Sequence, residues 1–125
     1  MKKLIAFLII FIGLISCEKP YVTKPDNLIS QSDMEDILVD LYLTQQMVNS
    51  SSSSSSNYIL DHAKNSKYIL DQHEVTTKAF ENSYKYYFAQ PSTYQKILDN
   101  VKDDLYSKLS DEEKKRIEDL KSQTE

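Results

Sequence analysis

A chain of 125 residues with a formal net charge of −4 is long enough for one small domain, and without a basic run it is too acidic for a nucleic-acid binder. Its sole glycine, Gly13, sits in the apolar start, so the rest cannot supply a G-x-G-x-x-G turn, a phosphate-cradling loop or a G-x-S-x-G elbow. Tight hairpins lack their preferred residue as well, which leaves all-α as the economical reading.

The chain opens Met1-Lys2-Lys3 and then runs apolar from Leu4 to Ile15, broken only by Gly13. A short basic start, an apolar stretch and a small residue before the break are the parts of a secretory signal. The run is too short for a membrane span, which takes about 20 apolar residues. Leu14-Ile15-Ser16-Cys17 resembles the lipobox of bacterial lipoproteins, with Ile15 where a smaller residue is more usual. That resemblance implies a diacylglycerol on the Cys17 thiol, cleavage before Cys17 and acylation of the new amine. The competing reading is an unpaired thiol in an ordinary exported protein, which would need a reactive or intermolecular role because no second cysteine exists. Each buried methylene contributes about 0.8 kcal/mol, so three acyl chains would hold the protein permanently where one would not. Loss of residues 1–16 leaves 109 residues with 13 basic and 19 acidic side chains, a balance of −6. Membrane attachment then rests on the lipid rather than on electrostatics.

Residues 17–27, with Pro20 and Pro25, carry no periodicity and read as a lipidated tether. Fully extended, it would hold a domain about 30 Å from the membrane. A helical domain is expected over 28–109, with a charged helix or tail at 110–125. The first helix should span Gln31 to Val48, with Ser30 as N-cap and Ile29 and Met34 as a hydrophobic staple. Ser32-x-x-Glu35 offers a competing capping box two residues on. Met34, Ile37, Leu38, Leu41 and Val48 share one face, while Val39, Leu43 and Met47 form a second stripe nearly opposite. Seven consecutive serines, Ser50 to Ser56, cannot bury apolar surface and read as a loop.

A second helix over Tyr58–Gln72 brings Ile59, Ala63, Ile69 and Leu70 together. Thr76 caps a third, stapled by Val75 and Phe80, with Phe80, Tyr84, Tyr87 and Phe88 inward. Pro91 marks the next break, and Ser92-x-x-Gln95 has the form of a capping box. The fourth helix shows the cleanest stripe, Tyr94, Ile97, Leu98, Val101, Leu105 and Leu109. Ser110-x-x-Glu113 starts a short fifth with only Ile117 and Leu120 inward. The expected fold is therefore a small bundle of about four helices with a short fifth.

Three stretches, "KPDNLIS" at 24–30, "MEDILVDLYL" at 34–43 and "ILDQHEVTTKAFENSYKYYFAQPSTYQKILDNV" at 69–101, resemble the domain of unknown function 4296 family of small Bacteroidota lipoproteins. The Phe-x-x-Ser-x-x-Tyr-Tyr spacing of Phe80, Ser83, Tyr86 and Tyr87 is a moderately specific part of it. Glu74 stands where a glycine is expected after the second helix, and the serine run is particular to this chain. The resemblance implies an envelope lipoprotein and carries no activity with it.

Asp61-His62 and Asp71-x-His73 are the only candidates for acid–base or metal chemistry. The two histidines, eleven residues apart, would lie about 16 Å apart along one helix, too far to share a metal. A hydrogen-bonded boundary histidine is the better reading, and no metal or cofactor is expected. Asp36 with Asp40, and Asp99 with Asp103, read as solvated acidic faces. The tyrosine-rich stretch Tyr84 to Phe88 reads as core packing with hydroxyls reaching solvent, ahead of glycan or peptide stacking.

The sequence thus points to a non-enzymatic, lipid-anchored cell-envelope protein, on the outer membrane facing the periplasm, acting as scaffold or accessory subunit. A chaperone-like holder of unfolded or exported chains is the alternative. Besides the membrane reached through Cys17, a protein partner is expected, with Val39, Leu43, Met47 and Tyr86 as contact candidates. The second stripe leaves two arrangements open: a central first helix wrapped on both sides, or an outward stripe facing a partner.

Overall fold

The computed structural model describes residues 22–51 and 58–123. Cys17, the signal segment and Ser52 to Ser56 lie outside the described residues, as do the side chains of Val48 and Ile59. The chain is all-α: α1 (Gln31–Ser51), α2 (Tyr58–Gln72), α3 (Thr77–Phe88), α4 (Pro91–Ser107) and α5 (Asp111–Ser122). Among the described residues, no helix is long and apolar enough to cross a membrane.

Local cap chemistry sets most of the boundaries. At α1 the Asp33 N–H donates to Ser30 Oγ at 3.1 Å, so Ser30 is the cap and the Ser32-x-x-Glu35 box is not used. At α3 the Ala79 N–H donates to Thr76 Oγ1 at 3.2 Å. At α5 the Glu113 N–H donates to Ser110 Oγ at 3.3 Å while the Ser110 N–H donates to Glu113 Oε2 at 2.9 Å, a complete capping box.

Two boundaries differ from expectation. The first helix runs past Val48 and takes Ser50 and Ser51 into its last turn; once a helix is nucleated, adding residues of middling propensity costs little. The fourth starts at Pro91 itself, with Gln90 as an N-cap that makes no side-chain cap bond, so Ser92-x-x-Gln95 lies inside the helix. Proline suits that first position because its missing N–H would have had no intrahelical partner.

Between α2 and α3 the chain turns through Glu74, which adopts φ 56°, the left-handed region where glycine is favoured. The Val75 N–H donates to the Leu70 carbonyl at 2.9 Å and the Glu74 N–H to the Asp71 carbonyl at 3.1 Å. This pair of bonds is a Schellman motif with Glu74 in the glycine position. Its customary apolar contact is present too, since Leu70 is in the core and Val75 packs against the same cluster.

The helices α1 to α4 form a closed ring: α1 packs on α2 and α4, and α3 packs on the same two, leaving α1 and α3 diagonal. Met34, Ile37, Leu38, Leu70, Tyr87, Ile97 and Val101 fill the centre, with Ile29 from the segment before α1. Several expected inward residues turn out otherwise. Ala63 is exposed, Phe88 is 63% exposed, and Leu120 is exposed. On α3 the buried line is Ala79, Ser83 and Tyr87, and Phe88 lies about 100° of helical rotation past Tyr87. Fully burying a helix face needs a closely packed neighbour, and α5 packs only lightly on the bundle.

Candidate functional site

The segment leading into α1 is not a free linker where it is described. Ile29 is buried, and both of its backbone polar groups are bonded to α3. Its N–H donates to Ser83 Oγ at 3.0 Å, and its carbonyl accepts from the Tyr87 hydroxyl at 2.6 Å. Ser83 is wholly buried at 0% exposure, a polar side chain tolerated in the core because it satisfies a buried N–H. Burial first, then the nearby Tyr86 and Asp33, pushes the Tyr87 phenol above its ordinary value, so it stays a donor. Phe80 packs against the core cluster, and Tyr86 meets the Tyr87 ring edge-on at 5.6 Å. Ser83, Tyr86 and Tyr87 of the Phe-x-x-Ser-x-x-Tyr-Tyr spacing thus meet at the clamp, while Phe80 packs against the core. Upstream of Ile29, Val22 and Pro25 are half-buried and, with Asn82 and Lys85 of α3, line a hollow of about 380 Å³.

A second region lies on the opposite seam. Tyr42 of α1, Leu98, Leu105 and Tyr106 of α4, Leu109 in the connection that follows and Ile117 of α5 line an apolar groove of about 700 Å³. Lys102, Asp103 and Lys121 supply charges of both signs around it. The groove exists because α5 folds back on the bundle without filling the space. A hydrogen bond from the Tyr106 hydroxyl to Glu118 Oε1 at 3.3 Å and the Lys114 ammonium 5.7 Å above the Tyr106 ring tie α5 to α4. Leu98, Leu105 and Leu109, expected in the core, are only half-buried as a result.

The aromatic residues between these regions act as structural glue. The Tyr84 and Tyr94 hydroxyls are 2.6 Å apart, and their rings meet edge-on at 5.7 Å. The hydrogen bond to Tyr84, then burial and the neighbouring Tyr84 and Tyr42 phenols, push Tyr94 up to about 12. Such a phenol is neutral at physiological pH and unsuited to proton transfer there. Exposed Phe88 completes the group, 5.3 Å from Tyr94 and stacked on Tyr84 at 6.4 Å.

His73, just past α2, bonds through Nε2 to Asp40 Oδ2 of α1 at 2.8 Å. It is the hydrogen-bonded boundary histidine expected from sequence, and Asp40 is its partner rather than a purely solvated acid. Among the described residues, no three His, Cys, Asp or Glu side chains gather as a metal site would require.

The contact candidates on α1 divide. Val39 is 3% exposed and belongs to the core, because α2 and α4 flank α1 closely enough to cover more than one stripe. Leu43 is 37% exposed and Met47 72%, so that part of the second stripe faces outward. Tyr86 is half-buried against the core. Cys17 lies outside the described residues.

Residues 25–111 match the family described as a domain of unknown function (DUF4296). The chain belongs to that family. The match starts in the pinned segment at Pro25 and ends at the first residue of α5, so the family domain comprises the clamp and the four-helix ring. No curated protein and no solved structure matches the chain. Sequence reading missed Ser83 as a core residue, although the spacing that carried the family resemblance contains it. The groove was not foreseen, since its floor reads as one continuous core stripe.

Proposed function

We propose that this member of the family is a lipid-anchored cell-envelope protein, held by acyl chains on Cys17, whose helical domain is a non-enzymatic scaffold or accessory subunit. The lipobox residues Leu14 to Cys17 support the anchor. The observation that carries the scaffold reading is the apolar groove between α1, α4 and α5. Its α4 floor, Leu98 to Tyr106, extends about 12 Å, a little over two helical turns. That length fits one apolar segment of another envelope protein, such as the apolar face of an amphipathic helix. Leu43 and Met47 on α1 are further exposed apolar side chains outside the groove.

The placement on the outer membrane facing the periplasm is part of the same proposal, supported by the absence of a run of acids directly after Cys17. A holder of unfolded chains would use the same groove differently. Photocrosslinking in living cells from position Tyr42 distinguishes the two. The scaffold reading expects one stoichiometric partner, lost when Leu98→Glu places a charge in the groove floor. A spread of unrelated exported chains overturns the scaffold in favour of the holder.

A further inference from the structure

The position of the clamp limits how far the domain can stand from its anchor. Between Cys17 and the first described residue, Val22, only residues 18–21 intervene. Whatever conformation they take, five Cα steps span at most about 18 Å. From Val22 onward the chain lies against α3, with Val22 and Pro25 half-buried beside Asn82 and Lys85. Ile29 then fixes it through both backbone groups. The reach of about 30 Å expected for an extended tether is roughly halved. The side of the domain that receives the chain must therefore sit close to the anchor.

That side is the outer face of α3. Lys78 and Lys85, seven residues apart, lie on the side away from the buried line of Ala79, Ser83 and Tyr87, with half-buried Asn82 at its edge. Lys78 and Lys85 are exposed, as is Lys24 in the pinned segment; of the acids nearby, Glu81 lies 4.0 Å from the Lys85 ammonium as an exposed ion pair, and Asp26 is the other. Phe88, 63% exposed, lies one turn beyond Lys85. Lysines beside an exposed aromatic suit the headgroup layer of a bilayer, where an amphipathic side chain has an apolar and a wet neighbour. In a protein whose mature balance is −6, this face departs from the overall charge.

The geometry points to the outer face of α3, with residues 22–27 folded on it, as the surface the domain presents to the headgroups of the bilayer that carries the Cys17 lipid. The inference rests on the lipid-anchor reading of Cys17. It deepens the scaffold reading, because the groove shares no residue with this face and is lined by α1, α4 and α5. The lipid fixes the domain to the membrane, and the short leash orients it.

The test uses full-length protein, acylated in the producing bacterium and purified from its membranes. With Cys17 blocked by lipid, Lys85→Cys and Lys115→Cys each supply one free thiol for a fluorophore, the second on the outward side of α5. The proteins are placed in phosphatidylethanolamine–phosphatidylglycerol vesicles containing headgroup spin-labelled phosphatidylcholine. Quenching at position 85 is expected to exceed that at 115 at least threefold. Inserting fifteen Gly/Ser residues after Glu18 should bring the two close to equality while the lipid remains. Equal quenching at both positions in acylated protein without the insertion overturns the orientation and leaves the anchor intact. Absence of acyl chains on Cys17, read by mass spectrometry, overturns both.

Discussion

Ser83→Ala tests the clamp most directly. The substitution removes one oxygen from a site with 0% exposure and leaves the helix propensity of α3 no worse. What it takes away is the acceptor for the Ile29 N–H, 3.0 Å distant and buried. That N–H then has no acceptor where water does not reach, and leaving a buried donor unsatisfied costs about 1–3 kcal/mol. The small void left by the oxygen adds little, so a loss of about 2 kcal/mol is expected. In a domain of roughly 100 residues that lowers the melting temperature by about 8–16 °C. Urea unfolding of the mature chain with Cys17→Ser, followed by far-UV circular dichroism, measures the loss. Tyr87→Phe is the companion, removing the 2.6 Å donor to the Ile29 carbonyl. Because both bonds hold one residue, the double substitution should cost less than the sum of the singles. If Ser83→Ala changes stability by less than about 0.5 kcal/mol, the usual range for surface changes, Ser83 is not what holds Ile29.

Glu74→Gly should stabilise the domain by about 1 kcal/mol, because a side chain at φ 56° carries strain that glycine does not, and a thermal melt reads the gain. Leu43→Ser should cost about 1 kcal/mol rather than the 2–5 typical of core deletions, since Leu43 is already partly exposed, with partner capture weakened in pull-down; outright unfolding would refute an outward Leu43. The Ser110 hydroxyl, then the Ser110 N–H, hold the Glu113 carboxyl below its ordinary 4.5; stability from this box is present above pH 4.5 and lost as pH falls through the lowered value, so amide protection factors in α5, corrected for the intrinsic pH dependence of exchange, should fall in acid, and Ser110→Ala should remove most of that dependence. Cys17→Ser should abolish metabolic lipid labelling, and labelling that persists would refute the lipobox reading.

The parts of the fold that were legible in sequence are those whose physics is local. Ser30, Thr76 and Ser110 cap helices by bonds to N–H groups three residues on, a distance any sequence displays. The stripes of α1 and α4 gave Met34, Ile37, Ile97 and Val101 correctly for a similar reason. Failures came where a distant partner decides. Ile29 and Ser83 are 54 residues apart, and nothing near either one shows that a serine on an aromatic-rich face will be the most buried polar group described. Val39 falls opposite the main stripe on a helical wheel, yet α2 and α4 cover it, because the ring surrounds more of α1 than a single stripe implies. Leu98 and Leu109 read as core, but whether a half-covered leucine closes a core or opens a groove depends on how α5 sits.

The clamp also bears on how the domain could withstand being held by one end. In the anchored reading, any pull from the membrane enters through residues 18–28 and arrives at Ile29, one residue before the α1 cap. A chain running straight into α1 would put that load on the Ser30 cap, whose side-chain contribution is about 1 kcal/mol, and fraying of the first turn would follow. Here Ile29 is bonded sideways to α3 through both its N–H and its carbonyl, and its side chain is in the core. The pull is therefore shared with α3, and through the core with α4, before it reaches the first turn of α1. Met34, one turn into α1, packs in the same cluster as Ile97 and Val101 of α4, the helix whose Leu98 and Leu105 floor the groove. A clamp at Ile29 thus keeps the α1–α4 seam in register whatever the tether does. On this argument weakening Ser83 or Tyr87 should loosen partner binding at the groove although neither residue touches it.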